Sequence, residues 1–535
     1  MTVVVAVAAF GLAGITATAG PAVSLPVRPA GQDDQREWLL PLGPAGTTQT
    51  QSRKTLEPGV TLTTIVRGAF DAGTPWVVEV NIPASSSSPD PDASPRSVQD
   101  RTSAEALAQR LTAAGFAASA QPVLQPAVAD VPAGVIGYRV RLDQPYPSKN
   151  AADAAVAALK AEGFSSRSWY AGWDGSSASK GQWTVNVVTI DPRAFRGQLG
   201  GTFGPNLQDR ETTSDLSRRV GAKVAVNGGY FVLDPAAGAP GDPAGAGVYA
   251  GVLESETTAG RPALELHADA RHTGVIRPRW TGTLRTAAGQ LTLDGVNRVP
   301  GLIRNCGGDA TDSPTSAPLH DITCTDSAEL VAFTTAFGPA TPAGAGAEAV
   351  LDRQDRVVSV FTHRGTTLTE GQRSVQGTGA LAATLTTMHP GQPAPLRLRM
   401  TADGATLLRP GTTVINGAPQ LLRDGASYIT QARDGMVHPG DPSFAYGFVL
   451  QRNPRTFAGV DSAGRTLLIT VDGRQLDQLG LSIPEEAAVA RALGLRDAIN
   501  LDGGGSTTLA VDGNVTNHPS DATGERPVGD AIYVR

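Results

Sequence analysis

The stretch from 480 to 513 reads GLSIPEEAAVARALGLRDAINLDGGGSTTLAVDG and combines a helix signal with a run of three glycines. Ser482 and Glu485 have capping-box spacing, which predicts a helix over 484–493. Gly503 to Gly505 follow Asp502 and offer successive backbone N–H groups, with the Ser506 and Thr507 hydroxyls beside them. Such a run can cradle an anion. It is not a nucleotide P-loop, because no Gly-Lys-Ser/Thr follows, and 508–511 predicts a strand instead of a helix.

A second motif precedes it, with NPRTFAG at 453–459 and a predicted strand over 466–471 that runs into Asp472, Gly473 and Arg474. The planar guanidinium of Arg455 suits a phosphate, because it can donate to two oxygens at once. An Asp that ends a strand next to Gly is placed to face a cleft. A surface salt bridge at a turn is the plainer alternative.

A third motif is VAVNGGYF at 224–231. The amide of Asn227 can donate and accept, the glycines Gly228 and Gly229 let a ligand approach the backbone, and Tyr230 and Phe231 can form the wall of a sugar site. An ordinary hairpin turn would give the same pattern. From Trp183 to the C-terminus, short β segments alternate with Gly/Pro turns and clear helices are few. The pattern predicts an α+β domain with a mainly antiparallel sheet.

An internal repeat lies between 75 and 175, where LTAAGFAA and LKAEGFSS each close a strand–helix–strand pattern. Two βαβ halves of this size predict one four-stranded sheet covered by two helices. The repeat resembles the sporulation-related repeat (SPOR) domain, which implies this topology and binding to peptidoglycan glycan strands. Any ferredoxin-like module would produce the same pattern, so a structural insert without a ligand remains an alternative.

The N-terminus predicts export. An apolar run over 3–14 followed by Ala17-Thr18-Ala19 indicates a signal peptide at 1–19, with a linker over 20–44. An uncleaved anchor is the alternative, although the run is short of the roughly 20 residues needed to span a membrane. In an exported chain the two cysteines, Cys306 and Cys324, predict a disulfide, and two free buried thiols are the alternative.

The composition excludes one class of partner. The chain has 535 residues and a net charge of −6, whereas binding to nucleic-acid phosphates needs clustered Lys and Arg. A serine hydrolase is disfavoured too, since Thr508 stands where the nucleophile motif G-x-S-x-G needs its last glycine.

Together the phrases VAVNGGYF, VINGAPQLLRDG (414–425), RNPRTFAGV, LLITVDGRQ and the quoted stretch resemble the phosphodiester glycosidase family. The resemblance extends from Val224 to the end, and PGVTLTTIVRG (58–68) is similar to the family's first strand. It implies a discontinuous catalytic domain over 45–72 and 180–535, with the SPOR-like module inserted at 73–179.

The resemblance implies cleavage of a sugar-1-phosphodiester, such as a GlcNAc-1-phosphodiester, to free sugar and a phosphomonoester. The implied catalytic residues are Asp472, Asp502 and Arg455. The implied substrate-binding residues are Asn227, Gly228, Gly229, Tyr230, Phe231, Thr456, Arg474, Asn500, Gly503, Gly504, Gly505, Ser506, Thr507, Asn517 and Arg526. The two carboxylates would activate water, attack the anomeric carbon or stabilise charge on the ring.

Three questions stay open in the sequence. A divalent cation bridging Asp502 and the phosphate is a hypothesis beside a metal-free site. His518 is either an acid/base group or a turn residue. The competing functions are a phosphodiesterase that cleaves the P–O bond and a non-catalytic cell-wall protein that binds peptidoglycan through the module.

Overall fold

The computed structural model describes residues 37–82, 96–175, 179–258, 260–305, 323–438 and 440–535. Residues 39–535 form one compact unit, and the described residues 37 and 38 belong to another. The predicted signal peptide lies outside the described residues. At the end of the predicted linker, Leu40 and Leu42 are buried and Arg67 donates to the Leu42 carbonyl.

An eight-stranded antiparallel sheet, called here the central sheet, organises the second unit. Its strands, in spatial order, are Gln49–Glu57, Val60–Gly68, Gln182–Ile190, Thr466–Val471, Arg455–Asp461, Leu495–Asn500, Gln420–Arg423 and Ala426–Ser427. Val60–Gly68 precedes the SPOR-like segment, Gln182–Ile190 follows it, and the two strands pair over their full lengths. That pairing is what a module inserted between two sheet neighbours requires.

A five-stranded antiparallel sheet, the C-terminal sheet, packs on the central sheet. It contains Asn514–Val515, Leu509–Val511, Val224–Asn227, Ala531–Val534 and Leu199–Thr202. Apolar side chains from both sheets form one core, including Leu468, Ile499, Val226 and Ile532. Burial of each such side chain contributes roughly 1.5–3 kcal/mol relative to exposure.

Four further sheets complete the second unit outside the SPOR-like segment. One holds Val252–Ser255, Gly247–Tyr249, Thr412–Asn416, Ala263–His267 and Thr273–Ile276, and a second holds Gly289–Thr292, Arg279–Thr286, Leu396–Ala402 and Ala405–Thr406. A third holds Gly295–Val296, Leu330–Thr334, Arg373–Gly377, Gly344–Leu351 and Val357–Arg364, and Leu302–Arg304 pairs with Thr323–Thr325. Nearly all neighbours are antiparallel, so the α+β class with mainly antiparallel sheets is confirmed.

The module sheet has the order Ala118–Gln125, Gly134–Leu142, Trp76–Val80, Ser166–Tyr170, and the helices Arg101–Ala113 and Lys149–Ala161 connect its strands. The strands on either side of each helix are not direct neighbours, because the two halves interleave. The remaining helices are Thr213–Val220, Gly379–Thr386, Pro442–Ala445, which continues into a π-helical turn at Tyr446–Leu450, and Ile483–Ala492 with its capping box. No helix in the described ranges is long and apolar enough to cross a membrane.

The predicted disulfide stays a prediction. Cys306 lies outside the described residues, while Cys324 is buried in Thr323–Thr325 and packs against Ile303.

Candidate active site

Three neighbouring strands of the central sheet bring the predicted motifs to one edge. Arg455 begins the middle strand and pairs with Val471, the last residue of one neighbour. On the other side Phe457 pairs with Asn500, the last residue of the strand Leu495–Asn500. Antiparallel neighbours place the start of one strand beside the ends of the next. Asp472 and Asp502, which follow those ends, therefore lie at the same edge.

Asn227 ties the C-terminal sheet to this edge. Its Nδ2 donates to the Asp502 carbonyl at 2.7 Å, and its Oδ1 accepts from the Thr456 hydroxyl at 2.6 Å and the Thr508 N–H at 3.2 Å. The side chain of Asn227 is fully buried. That Asn227 binds sugar hydroxyls stays a prediction, and in this structure its amide already bonds three protein groups.

The glycine turn does not present three N–H groups to an anion. The N–H of Gly503 donates to Asp502 Oδ1 at 2.9 Å, and that of Gly504 donates to the Pro454 carbonyl at 2.9 Å. The lack of side chains matters for a different reason. A Cβ on Gly504 would lie 3.2 Å from Arg474 Nη1, and one on Gly505 would overlap Arg526.

Four charged side chains around this turn reach solvent. Asp502, Asp521 and Arg526 are half-buried and Arg474 is exposed. Crowding by protein atoms and the nearby charges of Arg526 and Arg455 lower the pKa of Arg474 to about 10. Arg526 donates to both oxygens of Asp521, at 2.8 and 3.1 Å. The turn thus gathers two guanidinium groups and the carboxylates of Asp502 and Asp521, the second of which is paired with Arg526.

Arg474 also has an unusual backbone. Its φ is +57°, in the left-handed region that non-glycine residues rarely adopt. Its Nε and Nη2 both donate to Asn453 Oδ1, at 3.1 and 2.8 Å. Strained backbone held by its surroundings is common where a side chain must be aimed at a ligand.

Arg455 lies beneath this surface. Its side chain is 1% exposed. Its Nε donates to the Leu481 carbonyl at 2.9 Å, and its Nη2 donates to the Phe448 carbonyl at 2.5 Å. The guanidinium also lies over the Phe448 ring. Burial lowers its pKa, and the Glu486 carboxyl opposes that shift. These contacts do not support the prediction that Arg455 holds phosphate directly. Arg455 instead supports the site from beneath, and it is called here the brace of the site.

Asp472, which the sequence predicts to face the cleft, is also fully buried. Its Oδ1 accepts from Asn517 Nδ2 at 3.0 Å and the His518 N–H at 3.2 Å, and its Oδ2 lies 3.3 Å from His518 Nδ1. Burial raises the pKa of Asp472, and these donors oppose the shift. The His518 ring is mostly exposed. Asp472 therefore orients a histidine that reaches solvent.

Other predicted contacts serve the interior. Asn517 bonds the Thr507 carbonyl and the Leu509 N–H, and Phe231 packs in the core with Leu216 and Val528. The Tyr230 hydroxyl donates to the Ala418 carbonyl at 2.6 Å and accepts from Asn500 Nδ2 at 2.7 Å. The two predicted aromatic walls are thus buried, and so is the Asn500 amide.

Two predicted hydroxyls remain unexplained by the protein alone. Ser506 and Thr507 are buried, and within the described ranges neither hydroxyl has a hydrogen-bond partner; the same holds for Asn500 Oδ1. Buried polar groups are usually bonded. Thr456, in contrast, is satisfied by Asn227.

Asp530 is a buried residue that sequence reasoning missed. Its carbonyl accepts from the Gly228 N–H at 3.0 Å, and its carboxylate accepts from the Gly229 N–H and the Tyr249 hydroxyl, both at 2.8 Å. A Cβ on Gly228 would overlap this carboxylate. Burial raises the pKa of Asp530 to about 6. The glycines of the NGG motif therefore leave the space that the Asp530 carboxylate occupies. Its only signal was its position at the end of ERPVGD (525–530).

Glu486 is the second missed residue. It lies on the helix Ile483–Ala492 and is fully buried, and among the described residues neither carboxylate oxygen has a hydrogen-bond partner. The nearest cation is Arg455, whose Nε is 3.9 Å away. Burial raises the pKa of Glu486 to about 8, although Arg455 opposes the shift. The side chain is therefore neutral in the folded protein near pH 7.

This protonation predicts a pH-dependent stability. Folded Glu486 keeps its proton until about pH 8, whereas the unfolded chain releases it near 4.5. The group's contribution to the free energy of unfolding is therefore full below pH 4.5 and falls as the pH rises, by at most about 1.4 kcal/mol per pH unit. In urea titrations between pH 5 and 8, Glu486→Gln should flatten that fall, while Glu370→Gln, at an exposed glutamate, should not. Equal slopes for wild type and Glu486→Gln would contradict the assignment.

Two family models match parts of this chain. The phosphodiester glycosidase family model matches residues 345–535, including every strand end described above except that of Val224–Asn227. The SPOR domain model matches residues 96–167. Residues 345–535 therefore carry a phosphodiester glycosidase domain, and residues 96–167 carry a SPOR domain. Both resemblances predicted from the sequence are thereby confirmed.

The similar proteins cover different shares of this chain. The bovine N-acetylglucosamine-1-phosphodiester alpha-N-acetylglucosaminidase is 33% identical over 113 residues, which is 21% of each chain, so the match spans about a fifth of that relative. A crystal structure of a "Putative exported protein" from Burkholderia pseudomallei K96243 is 33% identical and covers 93% of this chain and 99% of its own, with a TM-score of 0.81. A Synechocystis protein shares the fold alone, at 17% identity and TM-score 0.52 over 91% of this chain and 76% of its own.

Proposed function

We propose that this protein is an exported hydrolase that cleaves a sugar-1-phosphodiester to free sugar and a phosphomonoester. One observation carries the proposal. Asp502, Arg474 and Arg526 surround a glycine turn at one edge of the central sheet, and all three reach solvent. A carboxylate beside two guanidinium groups matches a substrate in which an anomeric carbon adjoins a phosphate.

The arginines bind the charged half of the substrate. Arg474 and Arg526 donate to the phosphate oxygens, and the absence of a side chain at Gly504 lets the phosphate approach the turn. Arg455 adds positive charge from below without touching the substrate. Because negative charge grows on the phosphate as the sugar departs, fixed donors aimed at it stabilise the transition state.

Asp502 acts on the carbon. A water oxygen bonds to the anomeric carbon, the bond from that carbon to the phosphate oxygen breaks with its electron pair on the phosphate, and the water proton passes to Asp502. A phosphomonoester is already a good leaving group, so a strong general acid is not required. His518, oriented by Asp472, is the candidate for returning a proton to the product phosphate. The predicted pair of cleft carboxylates is thus replaced by one carboxylate and a histidine.

A cation bridging Asp502 and the phosphate stays a hypothesis. In the described part of the chain, Asp502 does not belong to a group of three acidic, histidine or cysteine side chains close enough to hold a metal. Arg474 and Arg526 supply positive charge at the place where such a cation would lie. Asn453 and Asp521, which hold the two arginines, complete that arrangement.

The cell-wall context rests on two findings. The similar Burkholderia structure is of a protein described as exported, and the SPOR domain lies at 96–167. We infer an extracellular or wall-associated polymer as the natural substrate. Binding of the module to peptidoglycan glycan strands is a separate proposal and the basis of the competing, non-catalytic function.

The test is hydrolysis in ¹⁸O-labelled water of the methyl phosphodiester of GlcNAc-1-phosphate, supplied as both anomers. We expect free GlcNAc and methyl phosphate, and ³¹P NMR should find no ¹⁸O in the methyl phosphate. Label in the phosphate, or release of GlcNAc-1-phosphate, would mean P–O cleavage and a phosphodiesterase. Absence of any product, together with sedimentation of the protein with sacculi, would favour the wall-binding function.

A further inference from the structure

A second group of metal-ligating side chains lies on the hairpin formed by Ala263–His267 and Thr273–Ile276. Glu265 and His267 are two residues apart and so share one face of their strand. His272 directly precedes the return strand. Glu265 Oε1 lies 3.1 Å from His267 Nε2, and Oε2 lies 3.3 Å from His272 Nε2. All three ligand atoms lie within 4.8 Å of one another.

The hairpin holds this group on a rigid frame. Leu264 and Leu266 point the other way into the main core, and the strand Ala263–His267 is paired on both sides. The His267 N–H donates to the His272 carbonyl at 3.0 Å, which fixes the two histidines relative to each other. Gly274, directly opposite Glu265, leaves the space above the carboxylate open.

The group faces a cavity of about 1400 Å³, well apart from the proposed glycosidase site. The cavity is lined by Glu265, His267 and His272 and also by Arg496 and Asp497, near the beginning of the strand Leu495–Asn500. Asp502 follows the opposite end of that strand. Five residues of extended chain separate Asp497 from Asp502, a distance of roughly 16 Å.

We propose that Glu265, His267 and His272 form a binding site for a divalent transition-metal ion of the zinc class, with a fourth coordination position open to the cavity. Imidazole nitrogen and carboxylate oxygen are zinc ligands at about 2.0–2.2 Å, and three protein ligands leave one exchangeable position. Calcium and magnesium take mainly oxygen ligands, so this set does not suit them. Each imidazole Nε2–H that donates to Glu265 places a proton where a metal ion would bind, so metal binding displaces that proton.

The site is half-buried, which gives it both access and partial desolvation. The side chains of Glu265, His267 and His272 are 12%, 36% and 52% exposed. The nearby Arg277 is held away from it by an ion pair with Asp434 at 2.6 Å. Arg277 therefore does not neutralise the Glu265 carboxylate, whose hydrogen-bond partners among the described residues are the two histidines.

The test is isothermal titration of the full chain, after chelator treatment, with Zn²⁺ alone. We expect one saturable site with micromolar or tighter affinity, at least tenfold weaker in His267→Ala and in His272→Ala, and no comparable binding of Mg²⁺. His389→Ala, at an exposed histidine elsewhere, is the matched control and should bind as the wild type does. His272 is exposed, so its truncation should leave the circular dichroism spectrum unchanged.

Thermal denaturation gives a second measurement, because an ion that binds only the folded chain raises Tm. Zn²⁺ should raise Tm for the wild type and for His389→Ala but not for His272→Ala. Absence of saturable Zn²⁺ binding would overturn the proposal. So would binding unaffected by both hairpin variants, which would place the ion elsewhere, for example at His518.

Discussion

Replacing Asp502 by Asn is expected to lower kcat on a GlcNAc-1-phosphodiester by roughly 10⁴-fold, the scale seen when a carboxylate essential to hydrolysis is removed. The variant keeps the shape of the side chain but loses the negative charge that takes the water proton or stabilises charge on the ring. Folding should survive, because the Gly503 N–H that now donates to Asp502 Oδ1 at 2.9 Å can donate to the Asn carbonyl instead. The measurement is single-turnover release of free sugar.

The matched control is Asp512→Asn, the same chemical change at an aspartate ten residues further along the chain. Asp512 lies in an exposed turn with φ +50°, where Asn is well accommodated, and its ion pair with Lys223 is exposed. That variant should retain wild-type kcat and KM. If Asp502→Asn retained more than a tenth of the activity with normal folding, the carboxylate would not act on the anomeric carbon and the site assignment would fail.

The sequence predicted the elements of this site better than the roles of its residues. Strand ends, the capping box and the glycine turn follow from local rules, namely alternation, turn residues and cap spacing. Those rules place Asp472 and Asp502 at one edge equally. They do not tell which of the two is covered, because that depends on the segment around Asn517, which folds back over Asp472 and leaves Asp502 open.

The same limit explains Arg455 and Asn227. Both residue types suit a ligand, yet in the folded chain their polar atoms satisfy backbone groups of neighbouring segments. Glu486 shows the converse. On sequence it is one of two glutamates in a helix's first turn, and only packing reveals that Glu485 caps the helix while Glu486 is buried without a hydrogen bond. Burial depends on tertiary packing. Residue type and spacing therefore could not show whether a polar side chain supports the site from the interior or contacts the substrate.

The second large effect concerns the junction between the module and the catalytic region. Ser168 bonds Asp153 on the helix Lys149–Ala161, so the residues beside it in register, Glu79 and Arg167, lie on the opposite face of the module sheet. That face is not free. Glu79 is fully buried and bonds Arg141, Arg167 and the hydroxyl of Tyr446, from the catalytic region's π-helical turn.

The opposite charges in this network stabilise one another. Burial alone would raise the pKa of Glu79, but the charges of Arg141 and Arg167 outweigh it and lower the pKa. Arg141 bonds Asp174 as well, at 2.6 and 2.8 Å. The turn that carries Tyr446 also carries Phe448, whose carbonyl caps Arg455 beneath the active site. The network therefore links the module to the brace under the glycosidase residues.

Glu79→Gln is expected to lower the free energy of unfolding by about 3–5 kcal/mol, because removing one partner leaves buried arginine charge uncompensated. Urea unfolding should be followed by far-UV circular dichroism and by tryptophan fluorescence, since Trp169 lies in the module and Trp183 in the central sheet. Glu105→Gln, at an exposed i,i+4 pair with Arg101 on the same module, is the control and should unfold like the wild type.

The shape of the transition decides between two views of the module. If it is part of the catalytic fold, both probes should report one transition that shifts together in Glu79→Gln. Two separate transitions, with only the tryptophan signal of one region shifted, would mean an independent domain whose charged face is only loosely docked. In that case the face would be accessible to a glycan, and the wall-binding function would gain support. A single shared transition would instead mean that a glycan must displace Tyr446 and the buried ion pairs before it can reach this face.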